Sequence, residues 1–109
     1  MLTGMAGRVA VIDDDRFVRT LLADALLAEG FSVAVYASAE EALVGLWNEP
    51  VDAVVTDLYL PQMSGFELLK ELRSRQWAKH TPCVAISAGD WSKEKLDALP
   101  KGTRGPPCL

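Results

Sequence analysis

The chain has 109 residues, of which half are hydrophobic and 24% charged, and it carries a net charge of −4. That length suits one domain rather than two, and the balance is that of an ordinary globular fold. No run of Lys or Arg forms a basic stripe, which argues against direct nucleic-acid binding, and no apolar run approaches the roughly 18 residues of a membrane helix.

The first 8 residues lack a charged-then-apolar signal pattern, so a cytoplasmic location is the expectation. Residues 8–12 (RVAVI) form a short β-branched run that ends abruptly in Asp13, Asp14 and Asp15. It reads as a buried strand entering an acidic loop. In the next segment Phe17, Leu21, Leu22, Ala25 and Leu26 fall at helical spacing, and Gly30 supplies a stop. Residues 31–37 (FSVAVYA) read as a second strand. Ser38 followed by Glu41 is a capping-box pattern that opens a second helix, which stops before Pro50. Residues 52–56 (DAVVT) form a third strand, again followed by an acid, Asp57. A loop containing Pro61 leads to a third helix over 66–75, with Leu68, Leu69 and Leu72 on one face. Residues 82–86 (PCVAI) form a fourth strand that runs into Ser87, Ala88 and Gly89, and a short helix begins near Asp90 or Ser92 and runs to Leu99.

Strands alternating with amphipathic helices imply βαβ units and a parallel sheet. Solidly apolar strands fit a sheet covered on both faces. Ligands of such sheets bind beyond the carboxyl ends of the strands. Asp13 and Asp14 stand at the end of strand one, Asp57 at the end of strand three and Ser87 at the end of strand four. In a parallel sheet these side chains converge on one edge. Three neighbouring carboxylates repel and raise one another's pKa, which makes sense if a divalent cation sits among them. Hard oxygen ligands with few protein contacts suit Mg²⁺. Taken singly, an Asp after a strand is more simply a turn residue or a helix N-cap, and Asp15 reads that way. Cys83, in an apolar run, reads as a small buried hydrophobe, and His80 alone offers too few ligands for zinc.

The strings VAVIDDDRFVR, VVTDLYLPQMSGFELL and VAISA, in this order and spacing, resemble the receiver domain of bacterial two-component response regulators, over roughly residues 8–89. The resemblance implies an α/β fold of the flavodoxin-like, CheY-like kind: a doubly wound parallel sheet in three layers. It implies one receiver domain over 1–109, with a core at 8–99. It makes Asp57 the phosphorylated aspartate, which accepts a phosphoryl group from the phosphohistidine of a sensor histidine kinase or a phosphotransfer protein. It places Mg²⁺, or Mn²⁺ in its stead, on Asp14, Asp57 and the backbone carbonyl of Tyr59, with Asp13 acting through a bound water. Ser87 would contact the phosphate, and the small side chain of Ala88 would leave it accessible. Such a chain is a signalling acceptor that assists its own phosphorylation, not an enzyme in the usual sense.

The C-terminal segment departs from the family pattern. KGTRG resembles the lead-in to the family's fifth strand, but Pro106 and Pro107 follow Gly105 where an aromatic and an apolar residue are expected. Proline cannot donate to a strand ladder, so the fifth strand is expected to be absent or a stub. No residues remain for the family's fifth helix, and the register puts the family's phosphate-binding lysine at about Leu109. Apolar surface left on strand one or its neighbours would favour association, for instance as a homodimer. The alternative within signalling is a degenerate receiver that acts as an interaction module with impaired switching. A phosphatase with an Asp nucleophile would want a second acid where Tyr59 stands, and no nucleotide-binding glycine motif is present.

Overall fold

The computed structural model describes residues 7–87, 94, 97–100 and 102–104. The chain order is β1 (Arg8–Ile12), α1 (Arg16–Ala28), β2 (Ser32–Tyr36), α2 (Ala39–Asn48), β3 (Ala53–Asp57), α3 (Gly65–Arg73), β4 (Cys83–Ile86) and β5 (Thr103–Arg104). The strands form one sheet in the order β2-β1-β3-β4-β5, and every neighbouring pair is parallel. This is the flavodoxin-like arrangement expected from the sequence. The first crossover leaves β1 on one side and the second leaves it on the other, so the carboxyl ends of β1 and β3 adjoin at the point where the winding reverses.

The side chains of successive strand residues alternate between the two faces of the sheet. Ala10, Ile12, Val54, Thr56, Cys83 and Ala85 share one face and are all fully buried. All of these but Thr56 pack with Ala39, Ala42 and Leu46 of α2 and Leu68, Leu69 and Leu72 of α3 in a single core cluster. Burial of each such leucine contributes about 1.5–3 kcal/mol. Helix α1 packs against β1 and β2. It has no fully buried residue.

The helix boundaries follow from local chemistry. Asp15 caps α1, accepting from the N–H groups of Phe17 at 2.8 Å and Val18 at 3.3 Å. Gly30, with φ at 97°, takes the left-handed conformation that ends the helix. Ser38 accepts from Glu41 N–H at 3.1 Å, as its spacing predicts. The full reciprocal capping box is at α3, where Ser64 and Glu67 each receive the other's N–H.

Among the described residues the fifth strand comprises Thr103 and Arg104; the prolines expected to cut it short lie outside them. Thr103 pairs with Cys83 and Arg104 with Val84 of β4, so the described pairing falls within the KGTRG segment. The apolar exposure expected on strand one or its neighbours falls on a neighbour, β2, and on α1. Val9 to Ile12 of β1 are buried, while Val35 of β2 is 49% exposed and Phe17, Leu21 and Leu27 of α1 are exposed. β1 is packed by α1 and α2, whereas β2 lies at the sheet edge. Glu94 and Asp97 are helical, within the short helix expected before Leu99. Ala88, the start of that helix, Lys101 and the residues from 105 onward lie outside the described residues. Cys83 is buried, as its apolar surroundings predict.

Candidate functional site

The ends of β1 and β3 bring Asp13, Asp14 and Asp57 together, with one carboxylate oxygen of each lying within 4.8 Å of the others. These residues, with Asp15, Val18, Ile86 and Ser87, line a hollow of about 550 Å³. Four expected site residues therefore meet in one place: both acids of the pair, Asp57 and Ser87. Tyr59 follows two residues after Asp57, and its N–H donates to Asp57 Oδ1 at 3.1 Å. That bond fixes the orientation of the Asp57 carboxylate from its own loop. The Tyr59 ring meets Phe66 edge to face at 6.0 Å, which anchors the loop to α3.

The acids differ in environment. Asp14 is exposed and Asp57 half-buried, while Asp13 is only 4% exposed. Burial pushes the Asp13 carboxyl above its ordinary value of 3.8. The N–H of Asp15, donated to Asp13 Oδ1 at 2.9 Å, pulls the other way. The charges of Asp57, Asp14 and Asp15 add to the upward push. A buried carboxylate beside two others, with no cationic side chain bonded to its oxygens among the described contacts, is a donor set for a hard cation. The residues fit a divalent ion of the Mg²⁺ class.

Three contributors were not picked out from the sequence. Arg19 Nη1 donates to the backbone carbonyl of Asp13 at 2.8 Å, pinning the acidic loop from α1. The clue was a positive charge near the start of a helix, where the dipole disfavours it. Glu40 Oε2 accepts from Met63 N–H at 3.3 Å and ties the loop after Asp57 to α2. Gly65 N–H donates to the carbonyl of Leu58 at 2.9 Å, closing that loop at the start of α3. Within it Gln62 takes φ of 64°, a left-handed conformation that L residues adopt at a cost.

Comparison with known proteins gives this arrangement its context. Residues 9–105 match the response regulator receiver domain. The chain belongs to the receiver domain family of response regulators. It is similar to response regulator MprA of Mycobacterium sp. (strain KMS), 36% identical over 98 residues, which are 90% of this chain and 42% of that protein. It is also similar to the phosphate regulon transcriptional regulatory protein PhoB of Rhizobium meliloti (strain 1021), 32% identical over 98 residues, 90% of this chain and 43% of that protein. Among solved structures, the chemotaxis protein CheY4 of Vibrio cholerae superposes with a TM-score of 0.83 at 29% identity, covering 90% of this chain and 82% of that one. The chain spans less than half the length of these curated relatives, and what it shares with them is the receiver domain of two-component signalling. No helix among the described residues is long and apolar enough to cross a membrane.

Proposed function

We propose that Asp57 accepts a phosphoryl group from the phosphohistidine of a sensor histidine kinase or a phosphotransfer protein, with the whole chain, 1–109, acting as one receiver domain in the cytoplasm. The observation that carries this reading is the convergence of Asp13, Asp14 and Asp57 within 4.8 Å at the reversal point of the sheet. An oxygen of the ionised Asp57 attacks phosphorus, the P–N bond breaks, and the imidazole leaves to take up a proton. The Tyr59 N–H holds the carboxylate in position for that attack. Asp14, Asp57 and the Tyr59 carbonyl are the groups to hold Mg²⁺, or Mn²⁺, and Asp13 is placed to hold water on it. The chemistry that such an ion supplies when bound is neutralisation of the phosphoryl oxygens and of the crowded carboxylates. Ser87, at the rim of the same hollow, donates its hydroxyl to a phosphoryl oxygen. Ala88 is assigned only the permissive role of a small neighbour. The intact acidic trio supports an acceptor over a receiver reduced to protein interaction alone.

The test is incubation with acetyl phosphate, followed by intact mass measurement. The wild type gains one phosphoryl group in Mg²⁺ or Mn²⁺ and none in chelator, and Asp57→Ala gains none. An unchanged mass for the folded wild type in Mg²⁺, or labelling of Asp57→Ala equal to wild type, overturns the assignment.

A further inference from the structure

Helices α2 and α3 run against the strands, so their C-terminal ends lie at the opposite end of the sheet from the acidic trio. Between those ends is a hollow of about 700 Å³ lined by Trp47, Glu71, Ser74, Arg75, Gln76 and Trp77. A second hollow of about 350 Å³ also borders Trp47 and Arg75 and extends to Leu43 and Val44. Trp47 is 70% exposed and Val44 67% exposed. The guanidinium carbon of Arg75 lies 4.5 Å from the Trp47 ring centre, stacked on its face. Nε and Nη1 of Arg75 are buried and have no hydrogen-bond partner. Arg73, two residues earlier, is used differently: its Nη1 donates to the carbonyls of Ala78 at 2.8 Å and Thr81 at 2.7 Å and ties down the loop before β4.

We propose that this double hollow is a docking site for a segment of a partner protein that presents one carboxylate among large apolar side chains. The chemistry follows from the lining. Buried guanidinium N–H groups without an acceptor are costly, and a planar carboxylate is the group that matches their fork. Exposed Trp beside Arg is the composition of an interface anchor. Two hollows that share Trp47 and Arg75 take a succession of side chains and not a single ring. Glu71, which also lines the larger hollow, opposes an acidic run, so the segment carries one acid. The site stands apart from Asp57 and does not depend on its phosphorylation.

The test uses synthetic peptides of about twelve residues, with a central glutamate flanked by leucine and tryptophan, and their glutamine and lysine counterparts. Titration of the full ¹⁵N-labelled chain, followed by NMR, is expected to show the glutamate peptide binding best. The affected signals are those of Trp47, Trp77 and Arg75. Arg75→Met is expected to weaken the glutamate peptide about tenfold, the scale of one lost charge-assisted bond, and to leave the glutamine peptide unchanged. Trp47→Ala, at an exposed position that folding tolerates, should weaken both. Equal binding of the three peptides, no binding, or shifts mapped elsewhere would overturn the proposal. So would free 4-phenylbutyrate binding as tightly as the peptide, since that result assigns the hollow to a small carboxylate.

Discussion

Replacing Gly65 with alanine should destabilise the domain and slow its phosphorylation, the reverse of the usual gain when a helical glycine becomes alanine. Gly65 is the first residue of α3 and passes directly over the backbone at the end of β3. A Cβ placed there would collide with the carbonyl oxygen of Asp57 and come within 2.7 Å of the Leu58 Cα and 2.9 Å of the Asp57 carbonyl carbon. All three obstacles are backbone, and none can rotate away. Overpacking of this kind costs about 1–3 kcal/mol. Weakening the bond from Gly65 N–H to Leu58 adds about 0.5–1.5 kcal/mol. The better helix propensity of alanine returns about 1 kcal/mol. The net loss is about 1–3 kcal/mol, a fall in Tm of about 5–20 °C for a domain of this size. Moving the chain at Asp57 and Leu58 also moves the acceptor carboxylate, and a shift of about 1 Å can cost on the order of 100-fold in rate. Thermal unfolding by circular dichroism and the rate of labelling by acetyl phosphate measure the two effects. A variant as stable as wild type and labelled at the same rate would refute the close-approach reasoning.

Two further outcomes follow from the acidic trio. Because burial and like charge raise the Asp13 carboxyl, the folded state holds that proton more tightly than the unfolded chain. Its contribution to stability is therefore lost as pH rises from 3.8 through the raised value. Asp13→Asn in chelator should melt a few degrees above wild type at pH 7, with the gap closing as pH falls through that window; a pH-independent gap would contradict the sign. In a Mg²⁺ titration, Asp14→Ala should lose affinity more completely than Asp13→Ala, whose water-mediated role predicts a loss of about 10–100-fold. Calorimetry giving the reverse order would exchange their roles.

The alternation of strands and helices was legible because each strand is a solid apolar run, the first helix ends at a glycine stop, the second opens on a capping serine and the third shows a leucine face. The convergence of Asp13, Asp14, Asp57 and Ser87 was legible for a topological reason: parallel strands put all their carboxyl ends on one edge. The tethers that hold the site were harder to see. Arg19 and Glu40 act on backbone atoms of loops that are 6 and 23 residues away, through contacts that no spacing rule encodes. The capping box of α3 was present as Ser64 and Glu67 but was masked by the glycine between them, which reads as loop and is in fact the first helical residue. The exposure expected on strand one or its neighbours could not be narrowed to β2 and α1 from the sequence, because strand order is set by the crossovers and not by any one strand.

The site is held together against its own electrostatics. Asp13 is forced into the interior by the strand that carries it, with Val9 to Ile12 buried just before it. Its charge is opposed by Asp14, Asp15 and Asp57, and what steadies the loop is the Asp15 N–H on its side chain and Arg19 on its carbonyl. Neither of those contacts neutralises the trio. Among the described residues the hollow at the reversal point of the sheet keeps its negative charge, and an acyl phosphate formed at the Asp57 carboxylate would exchange its single charge for the roughly two of a phosphoryl group. If Asp57 is phosphorylated as proposed, cation binding and phosphorylation favour each other, and by linkage each raises the affinity for the other by the same factor. On the proposed function, the repulsion that costs the free domain stability is what would make the site selective, disfavouring a phosphoryl group alone and favouring one together with a divalent cation.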